Sequence, residues 1–171
     1  MTRQAYSKVE PQMERLCKQH SAALVSTFFD LYALPTDFPG KNSLGYPTTA
    51  TGRQKAQFLD SALAPDIGRR NFIPSLLVHE LVALLFVGVD AFADRVGDDR
   101  VPEPLHAVGA TTGPEDINDS PPTAPSKRML AAMPRYKKTL HGPLTACDMG
   151  GAMTAGCPHF AQWLNRIELL I

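Results

Sequence analysis

Apolar positions recur along this chain with a helical period in some stretches and as short unbroken runs in others, and the switches between the two mark out its elements. Over residues 9–17, Val9, Met13, Leu16 and Cys17 fall on one side of a helix and Glu14, Arg15 and Lys18 on the other, which predicts a first amphipathic helix. His20 and Ser21 end it. Residues 22–29 then form a continuous apolar run with β-branched and aromatic members, the pattern of a strand covered on both faces, with Asp30 at its carboxyl end. Three prolines and two glycines in residues 34–47 predict a long loop. Thr51 and Gln54 have the spacing of a capping box, and Leu59, Ala62 and Leu63 continue the helical period until Pro65, where a second helix is expected to stop. Residues 72–78 read as a second buried strand, with Pro74 near its start. Residues 81–92 are apolar without alternation and are closed by Gly97, which predicts a buried helix.

Two buried strands separated by a helix predict a parallel βαβ unit, in which ligands gather outside the carboxyl ends of the strands. Asp30 and the pair His79-Glu80 both stand at such ends. Beyond them the pattern predicts a turn begun at Thr112-Gly113-Pro114-Glu115, a helix over residues 127–133 and a last helix after Pro158, where Phe160, Trp163, Leu164 and Ile167 recur at i, i+3, i+4 and i+7. Phe160 and Trp163 read as core anchors.

A chain of 171 residues fits one domain, with an α/β part over residues 1–100 and a helical, proline-rich part over 101–171. Lys plus Arg is 17 and Asp plus Glu is 17, so no global field draws the molecule to nucleic acid or an acidic membrane, and any such contact has to be local. The polar N-terminus lacks the features of a secretory signal, and the longest apolar stretch is broken by Pro74, His79 and Glu80, so a cytoplasmic location without membrane insertion is expected. Three cysteines in such a chain point to reduced thiols rather than a disulfide framework.

Asp30 and Glu80 are of the residue type that holds Mg²⁺, which takes oxygen ligands and often uses only one or two carboxylates with water and phosphate; His79 could order a water or phosphate beside them. The competing reading is that both acids cap the segments that follow them, and spacing alone favours capping. A basic run, Ser126-Lys127-Arg128 followed by Arg135, Lys137, Lys138 and His141, suits either a local phosphate-binding face or a solvated helix surface, the second being favoured. Glu115 closes a Thr-x-x-Glu capping box. Cys147, Cys157, His141 and His159 lack zinc-site spacing, and neither a glycine-rich phosphate loop nor a Gly-x-Ser-x-Gly elbow is present.

Four segments together resemble one family: STFFDLYALPTDFPG from Ser26, NFIPSLLVHELVALLF from Asn71, GPEDINDSPPTAPSKRML from Gly113, and the stretch from Tyr136 that contains LHGPLTACDMGG and CPHFAQWLNRIELL. In order and spacing they resemble the bacterial domain of unknown function 4276 family. The resemblance implies a Toprim-like, partly parallel sheet flanked by helices, a Mg²⁺-dependent nuclease-type site acting on nucleic acid, and an ATPase partner in bacterial defence. It assigns Asp30 to the strand-end acid, His79 and Glu80 to the His-Glu pair, and Glu115, Asn118, Ser126, Lys127 and Arg128 to a polar motif. Lys138, Gly142, Cys157, His159 and Trp163 match the C-terminal pattern. It thereby implies His79 and Glu80 as catalytic groups, Asp30 and Glu80 as metal ligands, and Ser126, Lys127, Arg128 and Lys138 as phosphate contacts. Relatives usually begin with a strand and a Glu-Gly-x-Thr-Glu loop that this chain lacks, which predicts an unpaired sheet edge. Leu81-Val82 replaces a Phe-Glu pair, Gly151 a larger apolar residue, and Thr154 an Arg. These departures imply a weakened or inactive site, and a non-catalytic subunit docking on an ATPase is the alternative expectation.

Overall fold

The computed structural model describes residues 5–97, 105–107, 113–117 and 124–170, with Phe92 described by its backbone alone. Compactness divides the chain into a first unit, residues 1–78 with 163–171, and a second, residues 79–162.

In the first unit, helix α1 spans Tyr6–Gln19 and buries Tyr6, Met13 and Cys17, which share one face at spacings of seven and four. Its first turn contains no acid of its own. Asp37, from the following loop, takes that role: its carboxylate accepts the Tyr6 N–H at 3.0 Å and the Ser7 N–H at 3.3 Å. At the other end the Asn71 amide donates to the carbonyls of Cys17, His20 and Ala23 at 3.0–3.1 Å, satisfying groups that a helix terminus leaves open. Helix α2, Gly52–Ile67, starts with the expected capping box between Thr51 and Gln54 and buries Ala56, Leu59, Leu63 and Ile67. It does not stop at Pro65. A proline in the last turn removes one intrahelical bond, and two further residues carry Ile67 into the core before Gly68, at φ +61°, ends the helix with its N–H on the Ala64 carbonyl.

The two predicted strands are present as short parallel bridges. β1 (Val25–Ser26) pairs with β3 (Phe72–Ile73), and β2 (Phe29–Asp30) pairs with β4 (Leu76–Leu77). The offset between partners is the same in both bridges, so they form one ribbon interrupted in the middle. The interruption falls at Pro74, which has no N–H to give the ladder. Side chains bridge the gap: the Thr27 hydroxyl accepts the Ser75 N–H at 3.1 Å and donates to the Ser75 carbonyl at 3.2 Å, while the Ser26 hydroxyl donates to the Ile73 carbonyl at 2.6 Å. The second strand is buried throughout, as expected. The first is not covered on both faces. Leu24 is 37% and Phe28 45% exposed, because α2 packs on the β3 and β4 side of a ribbon that has two strands among the described residues.

The second unit is helical. The apolar run after Glu80 coils as predicted, but in pieces: α3 (Leu81–Leu84), a 3-10 turn over Leu85–Gly88, and α4 (Asp90–Val96), ended by Gly97 at φ +73°. A further 3-10 turn covers Pro114–Asp116, and Thr112 and Asn118 lie outside the described residues. Then follow α5 (Pro125–Ala132), α6 (Lys138–Asp148), α7 (Gly150–Gly156) and α8 (Pro158–Glu168), whose last residues belong to the first unit. Helices α6 and α7 were not predicted, since Pro143 and the Gly150-Gly151 pair both argue against regular structure. Helix α6 is held on α4 by a bidentate pair, Arg95 with Asp148 at 2.7–2.8 Å. A Cβ on Gly156 would stand 2.4 Å from Val87, so α7 reaches the 3-10 turn only because that position is glycine. Gly151, by contrast, faces open space.

The three thiols are free. Among the described residues no helix is long and apolar enough to cross a membrane. Chemically, the fold is mostly helical α/β with small parallel two-stranded pairings flanked by helices.

Replacing Thr27 by Val keeps a β-branched side chain on the ribbon but strands the buried Ser75 N–H. The expected loss is about 1–3 kcal/mol of unfolding free energy, read by urea denaturation. An unchanged midpoint would show that the hydroxyl does not bridge the gap at Pro74.

Candidate functional site

The buried strand runs from Phe72 through Val78 directly into His79 and Glu80, so two polar side chains enter the interior together, at 5% and 3% exposure. Glu80 occupies the N-cap position of α3, yet its side chain makes no capping bond there. Instead its Oε1 accepts the Ser126 hydroxyl at 2.8 Å and its Oε2 the Lys138 ammonium at 2.9 Å. The capping role that spacing favours is therefore not what the carboxylate does: charge-assisted partners on α5 and α6 outcompete the neutral backbone N–H groups of a four-residue helix. Asp30 likewise stands at the N-cap position of the Leu31–Ala33 turn without a side-chain capping bond.

Ser126 reaches Glu80 because Pro125 starts α5 and places its first turn against α3. Lys138 starts α6, and its stem carries the ammonium inward from a side chain that is still half exposed. Tyr136 is 3% exposed, and its phenol is pushed above the ordinary tyrosine range by burial and, to a smaller extent, by the charge of Glu80. A Cβ on Gly142 would lie 3.1 Å from the Tyr136 hydroxyl, so the glycine keeps that group's place. Thr145, one turn further along α6, is fully buried.

Glu115 is the second buried acid, at 3% exposure. Its carboxylate accepts the N–H groups of His159 and Phe160, each at 2.9 Å, while its backbone carbonyl takes the Nε2 of His79 at 3.1 Å. Pro158 opens α8 and has no N–H, so these are the first donors the helix end exposes, and one carboxylate satisfies both next to the positive end of the helix dipole. Glu115 thus caps a distant helix, while Thr112, the other member of the expected Thr-x-x-Glu box, lies outside the described residues. Cys157, fully buried beside this acid, has its thiol pushed up to about 12 by burial and by the charge of Glu115.

Of the residues singled out in the sequence, His79, Glu80, Glu115, Ser126, Lys138 and His159 are all set into this network of the second unit. Lys127 is exposed and Arg128 half-buried on α5. Asp30 is a first-unit residue that lines a cavity with aromatic side chains, and the Glu80 cluster is built of second-unit residues alone. Trp163 is half-buried rather than a core anchor, its ring 4.4 Å from that of Phe28 and its indole N–H on the Ser26 hydroxyl at 2.8 Å. Phe160 is also half-buried. Sequence reasoning missed Tyr136 as part of the site; the signal for it is an aromatic residue set inside the basic run 135–138.

An α/β protein with a parallel ribbon and, after its buried strand, two internal acids each paired on both oxygens is the class that fold and site define. The chain belongs to the family described as domain of unknown function (DUF4276), whose family profile matches residues 1–168 and so takes in α1, ahead of Ser26 where the quoted motifs begin. No curated protein and no solved structure matches the chain.

Because charged hydrogen bonds contribute about 1.5–3 kcal/mol each, Glu115→Ala should cost about 3 kcal/mol and Glu115→Gln, which keeps one acceptor, roughly half of that, in chemical denaturation. Thiol labelling of the native protein at pH 8 should modify exposed Cys147 and spare Cys157 and Cys17, whose thiols are both buried and raised. Equal labelling of all three before denaturation would show that this interior opens readily.

Proposed function

We propose that the chain is a Toprim-like, Mg²⁺-using nucleic-acid-processing effector whose working group is Glu80 with Lys138 and Ser126. The observation that supports this reading is a nearly inaccessible carboxylate at the end of a buried parallel strand, held by a half-exposed ammonium and a hydroxyl. Hydroxyl and ammonium groups are phosphate donors as well as carboxylate donors, so the same two side chains suit a phosphate that arrives next to Glu80. Lys127 and Arg128, on the same helix as Ser126, extend the basic character toward solvent.

The donor set fits Mg²⁺ in a restricted way. Glu80 is one hard oxygen ligand, which is enough for an ion that keeps its waters and shares a phosphate. Among the described residues no group of three His, Cys, Asp or Glu gathers, and Lys138 already supplies Glu80 with a positive charge. An ion taking Glu80 therefore competes with the ammonium. Bound there, Mg²⁺ would neutralise phosphate charge and acidify a water. The aromatic surroundings of Asp30 offer few oxygen ligands, and the reading rests on Glu80 without it.

The second reading is a non-catalytic subunit that docks on an ATPase. It is favoured by the fact that all four carboxylate oxygens of Glu80 and Glu115 already accept hydrogen bonds from the protein, as structural acids do.

Metal binding and cleavage separate the two. Mn²⁺ titration should give an affinity that falls about tenfold in Glu80→Gln and rises about tenfold in Lys138→Met, where the competing cation is gone. Mg²⁺-dependent cleavage of DNA or RNA should be lost in both. Cleavage unaltered in Glu80→Gln would remove Glu80 from the reaction, and absence of cleavage together with co-elution of the chain with an ATPase would establish the docking subunit.

A further inference from the structure

In the first unit the end of α1 meets the turn that follows α2, because the Asn71 amide takes the carbonyls of Cys17 and His20 at 3.1 Å. That contact brings Arg15 and Lys18, on α1, near Arg69 and Arg70, which directly precede Asn71. All four side chains are exposed. In a chain whose formal net charge is zero, they make a local concentration of positive charge.

The acids nearby do not match it. Glu14 serves two of the four, its carboxylate 2.9 Å from the Lys18 ammonium and 3.9 Å from the Arg69 guanidinium. Glu10 and Asp66 lie toward Tyr6, whose hydroxyl donates to Asp66. Among the described residues no hydrogen bond or ion pair takes up the guanidinium of Arg15 or of Arg70. Helix-end electrostatics account for part of the cluster only. The dipole of α1 favours Lys18 in its last turn and fades before Arg15, while α2 has no basic residue in its last turn and its two arginines come after Gly68.

Three of the four cations are arginine, whose planar fork of donors fits two phosphate oxygens at once. Arg15 and Lys18 are helix neighbours at i and i+3, with Cβ atoms about 5–6 Å apart, and Arg69 and Arg70 are adjacent. Cations thus recur at short intervals, as the closely spaced phosphates of a nucleic-acid backbone require. A membrane surface would need apolar side chains to insert as well. The leucines beside the cluster, Leu16 at 43% and Leu24 at 37% exposure, keep more than half of their surface covered.

We infer that this end of the first unit is a docking surface for the sugar-phosphate backbone of nucleic acid, held by Arg15, Lys18, Arg69 and Arg70. The inference rests on the proposed nucleic-acid reading for its partner, and it uses first-unit residues only. It assigns them sequence-independent affinity, while the chemistry stays with Glu80.

Fluorescence anisotropy of a labelled DNA duplex with the full chain, in EDTA so that no divalent ion takes part, tests it without calling on cleavage. Log affinity should fall against log salt with a slope of about −3 to −4, as four phosphate contacts require. Arg15→Gln with Arg70→Gln should weaken binding about tenfold and reduce the slope by about two. Glu14→Gln, which removes the competing carboxylate, should tighten it about threefold. Lys8→Gln, an exposed cation in the first turn of α1, should leave binding unchanged, and the thermal midpoint of every variant should stay near that of the wild type. Salt-dependent binding of this kind without any cleavage would uphold the docking surface and remove the Glu80 chemistry alone. No binding at low salt, equal affinity of wild type and the double variant, or tighter binding to phosphatidylserine vesicles than to DNA would each overturn the docking surface, whatever cleavage shows.

Discussion

A carboxylate that water cannot reach has to be paired, and the second unit is organised by that requirement at Glu80 and Glu115. Leaving either acid charged and alone in the interior would cost several kcal/mol, more than any single apolar contact nearby can offset. Each is therefore met by elements distant in sequence: α5 and α6 supply Ser126 and Lys138 to Glu80, and α8 supplies two backbone donors to Glu115. The order of short helices after residue 124 reads as the means of bringing those donors in. Proline helps twice, by starting α5 one residue before Ser126 and by starting α8 one residue before the donors that Glu115 takes.

The first unit applies the same rule at its surface. Asp37 caps α1 from a loop and Asn71 collects its last carbonyls, so a helix whose own sequence offers no cap is closed at both ends by side chains from elsewhere. Asp37 is held below the usual carboxylate range mainly by the Tyr6 N–H, so its contribution is present at neutral pH and fades as pH falls through the folded value. The parallel ribbon shows the principle again beside Pro74, where the Thr27 hydroxyl accepts the Ser75 N–H and donates to the Ser75 carbonyl. Unmet polar groups, more than apolar area, explain why these particular side chains are where they are.

At Glu80 the pairing with Lys138 joins a buried carboxylate to the ammonium of a half-exposed side chain. An ammonium on the carboxylate keeps the network neutral without an ion. A cation taking Glu80 would have to exchange with it.

Elements with strong periodicity were legible without coordinates. The first helix, the capping box at Thr51, the parallel pairing of residues 25–30 with 72–77 and the glycine stop at Gly97 all follow from apolar spacing and local backbone chemistry, which act over a few residues. The His79-Glu80 pair at a strand end was visible too, as was the basic run that contains Ser126 and Lys138. What could not be read was which partner each polar group takes. Local rules assign Glu80 and Glu115 to the caps beside them; tertiary structure gives Glu80 to Ser126 and Lys138, and Glu115 to the start of α8. It likewise carries α2 past Pro65 and leaves the strand at Phe28 half open. Periodicity is a property of neighbours in sequence, whereas the pairing of a buried charge depends on what the rest of the chain brings within three ångströms of it, and only the folded chain decides that.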